Sequence, residues 1–134
     1  RLMGEAALGA GDLQAAMNWN GKVNELVDIL ESENQELSAV QHGELRRFQG
    51  MLAIHRGEWN TAAEFLRESE TIFQKLRSRL YQGKVSYQMG ILAEVRREPR
   101  VARLRFKEAA LLFQSVGAKL DAKLAEEAAV RQNP

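Results

Sequence analysis

Residues 43–82 read GELRRFQGMLAIHRGEWNTAAEFLRESETIFQKLRSRLYQ, and residues 83–122 read GKVSYQMGILAEVRREPRVARLRFKEAALLFQSVGAKLDA. Laid one over the other, Gly43 falls on Gly83, Gly50 on Gly90, Leu52 on Leu92 and Ala53 on Ala93. Arg56 falls on Arg96, Glu58 on Glu98, Ala62 on Ala102 and Glu68 on Glu108. Phe73-Gln74 falls on Phe113-Gln114, and Leu80 on Leu120. These are eleven identities in forty columns without a gap. Met51/Ile91, Leu66/Phe106, Ile72/Leu112 and Leu76/Val116 add apolar pairs in the same register. Self-similarity at one fixed period is the signature of a repeat architecture, in which each unit buries its apolar face against its neighbour.

Within a unit the apolar spacing is helical. Leu45, Phe48, Leu52 and His55 recur every three or four residues, as do Ala62, Leu66, Ser69, Phe73 and Leu76. Gly57-Glu58-Trp59-Asn60 separates the two runs. Thr61-x-x-Glu64 has the form of a capping box for the second helix, and Pro99 suits the first turn of its counterpart. Each unit is therefore expected to be an antiparallel helix pair. Gly50 and Gly90 fall inside helices, where glycine costs about 1 kcal/mol relative to alanine. The recurrence of that cost in register predicts a notch, extended by Ala53/Ala93 and Ala62/Ala102, for a neighbouring helix. The whole chain maps onto about seven helices, at 2–9, 12–31, 34–56, 60–78, 80–97, 99–116 and 119–131. Glu31-Ser32-Glu33-Asn34 is the expected joint, and the alanine-rich last helix, with Leu120 and Leu124 as its apolar residues, is expected to cover the end of the stack.

This pattern resembles the tetratricopeptide repeat family. Gly90, Ala93, Ala102, Phe106 and Ala109 match the family's small–small and small–aromatic–small spacing. Gly50, Ala53, Gly57, Ala62, Leu66 and Ser69 match it with two substitutions. A degenerate copy at the start matches at Gly4, Ala7, Gly11-Asp12 and Ala16, with Asn20 in place of the aromatic. The period of forty exceeds the family's usual ~34 residues, and its customary proline after the second helix is missing. The resemblance implies an all-α solenoid of antiparallel helix pairs, with units at 1–33, 34–79 and 80–118 and a closing helix at 119–131. It implies a binding scaffold rather than a catalyst. The stretches GDLQAA and ALLFQSVGAKLDA are also similar to degenerate repeats in ATPase-type transcription regulators and nucleotide cyclases. A sensory or regulatory segment of a larger signalling protein is the alternative that this second likeness implies.

Composition agrees with a globular helical protein of 134 residues: 45% hydrophobic, 28% charged, two prolines and no cysteine. The absence of cysteine removes thiolate metal sites, redox pairs and cysteine nucleophiles, and fits a cytoplasmic setting. The longest apolar run, Ala109 to Phe113, is far below the ~18 residues of a membrane span. The chain opens at Arg1 with a helical pattern already under way, as expected of a fragment of a larger protein. Its charge is divided. Residues 1–44 hold eight acids and two bases, for −6, and residues 45–134 hold 17 bases and ten acids, for +7. Such a division allows self-association or an oriented partner.

Chemistry-bearing constellations are sparse. His42 and His55 lie 13 residues apart on one expected helix, about 20 Å at 1.5 Å per residue, and do not share a ligand. Glu126-Glu127 and Glu31/Glu33 are spaced for different helix faces. No phosphate loop, nucleophile elbow or metal-binding motif occurs. No catalytic residue, cofactor or metal site is expected. Arg96, Arg97, Arg100, Arg103, Arg105 and Lys107 form a dense basic stretch, but Glu94, Glu98 and Glu108 interrupt it and no aromatic platform accompanies it. Nucleic acid and membrane are thus not the expected partners; a protein or peptide is, including another domain of a parent chain. The expected groove is lined by the first helix of each pair, a fraction of a turn from the glycine face. It comprises Arg47, Met51 and Ile54 in one unit and Lys84, Tyr87, Ile91 and Glu94 in the next. Tyr87 is expected to be open to a ligand there, and Phe73, Phe106 and Phe113 to be core.

Overall fold

A computed structural model describes residues 21–22, 24–25 and 38–132. Among them it is all-helical, with no strand, and five helices follow one another: α1 Ala39–His55, α2 Trp59–Leu76, α3 Arg79–Val95, α4 Pro99–Ser115 and α5 Lys119–Val130. Five helices, not the expected seven, run through residues 39–130; the stretch 2–9, all of 12–31 except the helical residues 21–22 and 24–25, and the joint at Glu31–Asn34 lie outside the described residues.

The ends of the helices follow from local chemistry. Ser38 caps α1 through a reciprocal box: its hydroxyl accepts the Gln41 backbone N–H (3.1 Å), and the Gln41 side-chain oxygen accepts the Ser38 N–H (2.8 Å). Pro99 opens α4 at the first helical position, where a missing N–H costs nothing. The expected box at Thr61 and Glu64 does not form. The helix has begun at Trp59, so Thr61 is already inside it, and Glu58 at the N-cap makes no side-chain bond.

Four corners join the five helices, and all four share one backbone. Gly57, Arg77, Arg97 and Gly117 have φ of 77°, 55°, 60° and 75°. The next residue's N–H reaches back five positions in each: Glu58 to Ala53 O, Ser78 to Phe73 O, Glu98 to Ala93 O and Ala118 to Phe113 O. This is the Schellman arrangement, which satisfies the last carbonyls of a helix.

The repeated glycines are sockets. A Cβ on Gly50 would stand 2.7 Å from Leu66 Cδ2, and one on Gly90 2.7 Å from Phe106 Cδ1. A Cβ on Gly83 would stand 2.9 Å from Phe113 Cε1, and one on Gly43 would enter the Phe73 ring. Successive sockets on the first helix meet successively earlier residues of the second, so α1–α2 and α3–α4 are antiparallel pairs. Ser69 adds a buried clasp from its hydroxyl to the Gly43 carbonyl, 2.7 Å. Between the pairs, Val85, Met89 and Leu92 of α3 pack on Ala53, Ala62, Leu66 and Phe73. The fifth helix meets the second pair through Ala122, Ala125, Ala128 and Ala129. Leu120 and Leu124, the larger apolar residues of this helix, point outward at 68% and 46% exposure. Alanines let the helix axis approach closely, and that orientation turns the leucines away from the contact.

Candidate functional site

The two sets of expected groove residues fall on equivalent stripes of α1 and α3. Lys84, Tyr87, Ile91 and Glu94 stand at i, i+3, i+7 and i+10, which places them along one helix face. In α1, Arg47 and Met51 are buried, Arg47 to 1% exposure. The Arg47 guanidinium donates to both carboxylate oxygens of Glu44, at 2.8 and 2.9 Å, lies 4.6 Å from the Phe48 ring centroid and reaches Met51 Sδ at 3.7 Å. Those two side chains are thus core, not open groove lining. A cation at this depth is sustained by its bidentate carboxylate and ring contacts. Ile54 is half-buried against the cluster between α2 and α3.

In α3, the stripe continues under the fifth helix. Tyr87 is not an open aromatic. Its ring meets Phe106 edge-on, 5.2 Å between centroids, and it packs on both alanine-rich clusters. Burial pushes its phenol pKa up, with the Arg131 charge opposing and Glu94 adding to the rise. Ile91 packs on the cluster that holds Ala128 and Ala129. The Glu94 carboxylate accepts two hydrogen bonds from Arg131, 2.8 and 2.9 Å, and one from Gln132, 2.6 Å. The Arg131 hydrogen bonds hold the Glu94 carboxyl below the ordinary glutamate range and raise the arginine's own pKa. Lys84 is half-buried with its ammonium 5.4 Å from the Tyr81 ring centroid. The structure therefore brings Tyr87, Ile91 and Glu94 together beneath α5, and leaves Lys84 at the start of the stripe.

The remaining candidates separate. His42 is exposed, and His55 is half-buried in the last turn of α1. No group of three or more His, Cys, Asp or Glu side chains among the described residues is placed to hold a metal ion. A shallow depression on α2 is lined by Glu64, Arg67, Glu68 and Thr71. The basic stretch divides. Arg105 turns inward to Glu70 (3.0 Å) and Glu108 (3.1 Å), while Arg96, Arg97, Arg100, Arg103 and Lys107 are exposed. Phe73, Phe106 and Phe113 are buried, as expected. Two features escaped the sequence reading: the Arg131–Glu94 clasp, whose partners are 37 residues apart, and the exposed leucines of α4. No helix among the described residues is long and apolar enough to cross a membrane. In comparisons with known proteins, no family model, no curated protein and no solved structure matches the chain.

Proposed function

We propose that this chain is a non-catalytic protein–protein interaction scaffold, a tetratricopeptide-like solenoid that binds a peptide or a partner domain along its first helices. One observation carries the reading: α1 contacts α3 as well as its own partner α2, so the first helices of successive pairs lie side by side. Such a surface is continuous and extended, the form that helical repeats use for binding. Its chemistry on α3 is the half-buried cation Lys84, with Tyr87 and Ile91 packed beneath α5 next to it, and a cation at that position suits a segment with an acidic feature. Arg47 and Met51 shape that surface from below, Ile54 borders it, and Glu94 fixes α5 at its far end. Two photo-crosslinking variants test the proposal, one at position 84 and one at position 64 on the outer side of α2. Crosslinking of a partner at 84 and not at 64 is expected. Lys84→Glu should then weaken that partner's affinity about tenfold with helicity unchanged, the effect of losing one interface anchor. Equal crosslinking at both positions, or an unchanged affinity, refutes it.

A further inference from the structure

The outer side of α4 carries a feature that its sister helix lacks. Val101, Leu104 and Leu111 are 47%, 69% and 67% exposed. With Glu108 and Ser115 they alternate in steps of three and four, the spacing of a coiled-coil seam. The seam lies opposite the buried stripe of Ala102, Phe106, Ala109 and Phe113. In α2 the same five columns hold Thr61, Glu64, Glu68, Thr71 and Lys75, all polar and exposed. The frame of the repeat thus leaves this side in solvent, and only the second unit makes it apolar.

Charge follows the same difference. Arg100 and Lys107 occupy the flanking position beside the seam that pairs with a partner helix in a coiled coil. Arg103 extends that edge, and Arg96 and Arg97 stand at the corner before it. These five cations are exposed, and no ion pair engages them among the described residues. The columns of Arg100 and Arg103 hold Asn60 and Ala63 in α2. Glu108 interrupts the seam without opposing this charge, because its carboxylate accepts from the Ser86 hydroxyl (2.6 Å) and from Arg105 (3.1 Å).

We infer that the outer face of α4 docks an amphipathic helix of a partner protein, one with apolar side chains in a heptad seam and carboxylates along its flanks. The leucines are seven residues apart, about 10 Å along the axis, a strip the width of one helix contact. A membrane surface calls for a broad apolar face instead. Nucleic acid would use the cations but leave the leucines in water, with no aromatic to stack a base. The site is on the side of the repeat away from the proposed α1–α3 surface, so the two stand or fall separately.

The test uses the whole chain and two fluorescent, stapled helices of about 15 residues, a length at which a helix needs such support to form. Both carry leucine at the seam positions; one has glutamate and the other lysine on the flanks. Fluorescence anisotropy should show binding of the glutamate helix, weakening severalfold as salt rises from about 50 to about 300 mM. Leu104→Ser with Leu111→Ser should cut that affinity at least about tenfold with an unchanged melting temperature. Arg100→Glu with Lys107→Glu should transfer binding to the lysine helix, while Lys84→Glu leaves it unaltered. Absence of binding by the glutamate helix, equal binding of both helices, or indifference to the leucine pair overturns the inference. So does leucine-dependent capture on phosphatidylserine vesicles in place of the helix.

Discussion

α3 and α5 hold the same place in successive units but are seated with different side chains. Against the first pair, α3 sets Val85, Met89 and Leu92, and Tyr81 stacks on Phe73 at 4.7 Å. Forty residues on, Val85 becomes Ala125, Met89 becomes Ala129 and Tyr81 becomes Asp121. A fully buried valine-, leucine- or methionine-sized side chain contributes about 1.5–3 kcal/mol, against about 0.8 kcal/mol for each further methylene-sized group. The alanine seat therefore gains less from area, and polar clasps at its rim supplement it. Arg131 and Gln132 hold Glu94, and Gln114 holds Glu126. One backbone frame thus supports two kinds of joint, one apolar and deep, the other close and clasped at its edges.

Phe73→Ala attacks the deep joint and should have the largest effect. The ring is fully buried, so its removal should cost about 3–5 kcal/mol in urea denaturation, the range for a core phenylalanine. A loss below about 1 kcal/mol would end the claim that the first seat is the stronger. Gly90→Leu strikes the socket beneath the second pair. It should destabilise by about 1–3 kcal/mol, because the new side chain must displace the Phe106 ring. A raised melting temperature would show that the socket is slack. Glu94→Gln probes the clasp and should have the smallest effect, at most about 1 kcal/mol, since Arg131 is half exposed and screened. Its signature lies in pH. The folded-state pKa of Glu94 is depressed, so its contribution is complete above the ordinary glutamate range and disappears as pH falls through the depressed value. Wild type should lose its advantage over Glu94→Gln on acidification, followed by thermal melts; a pH-independent difference would assign the effect to packing.

Much of the architecture was legible because the repeat states it twice. Each glycine socket and the apolar side chain that fills it occur in both units, and a coincidence in one is excluded by the other. The joints were less legible. Thr61 and Glu64 have the right spacing for a box, but the corner at Gly57 puts the N-cap at Glu58, too early for Thr61 to cap the helix. Ser38 and Gln41 do form one, and it sets the start of the helix at Ala39 rather than at the expected 34. Leucine outranks alanine in hydrophobicity, so spacing alone does not show that the last helix packs through its alanines and leaves Leu120 and Leu124 outside; close helix approach sets that order. The groove was the least legible part. A face inferred from one helix does not show what covers it, and Arg47, Met51 and Tyr87 were each covered by neighbours that the spacing left unspecified.

The left-handed corners have a consequence for how the chain can be cut and rejoined. Two are glycine and two are arginine, yet the backbone and its hydrogen bonds are common to all four. A corner is therefore a splice point whose geometry does not depend on which residue occupies it. Joining Gly57 directly to Glu98 would remove one forty-residue module and carry α1 into α4 through an unaltered corner. The sockets would still be in phase: Gly50 would receive Phe106, and Gly43 would receive Phe113. The module boundaries of this protein are thus set at its turns, and its helices are exchangeable parts.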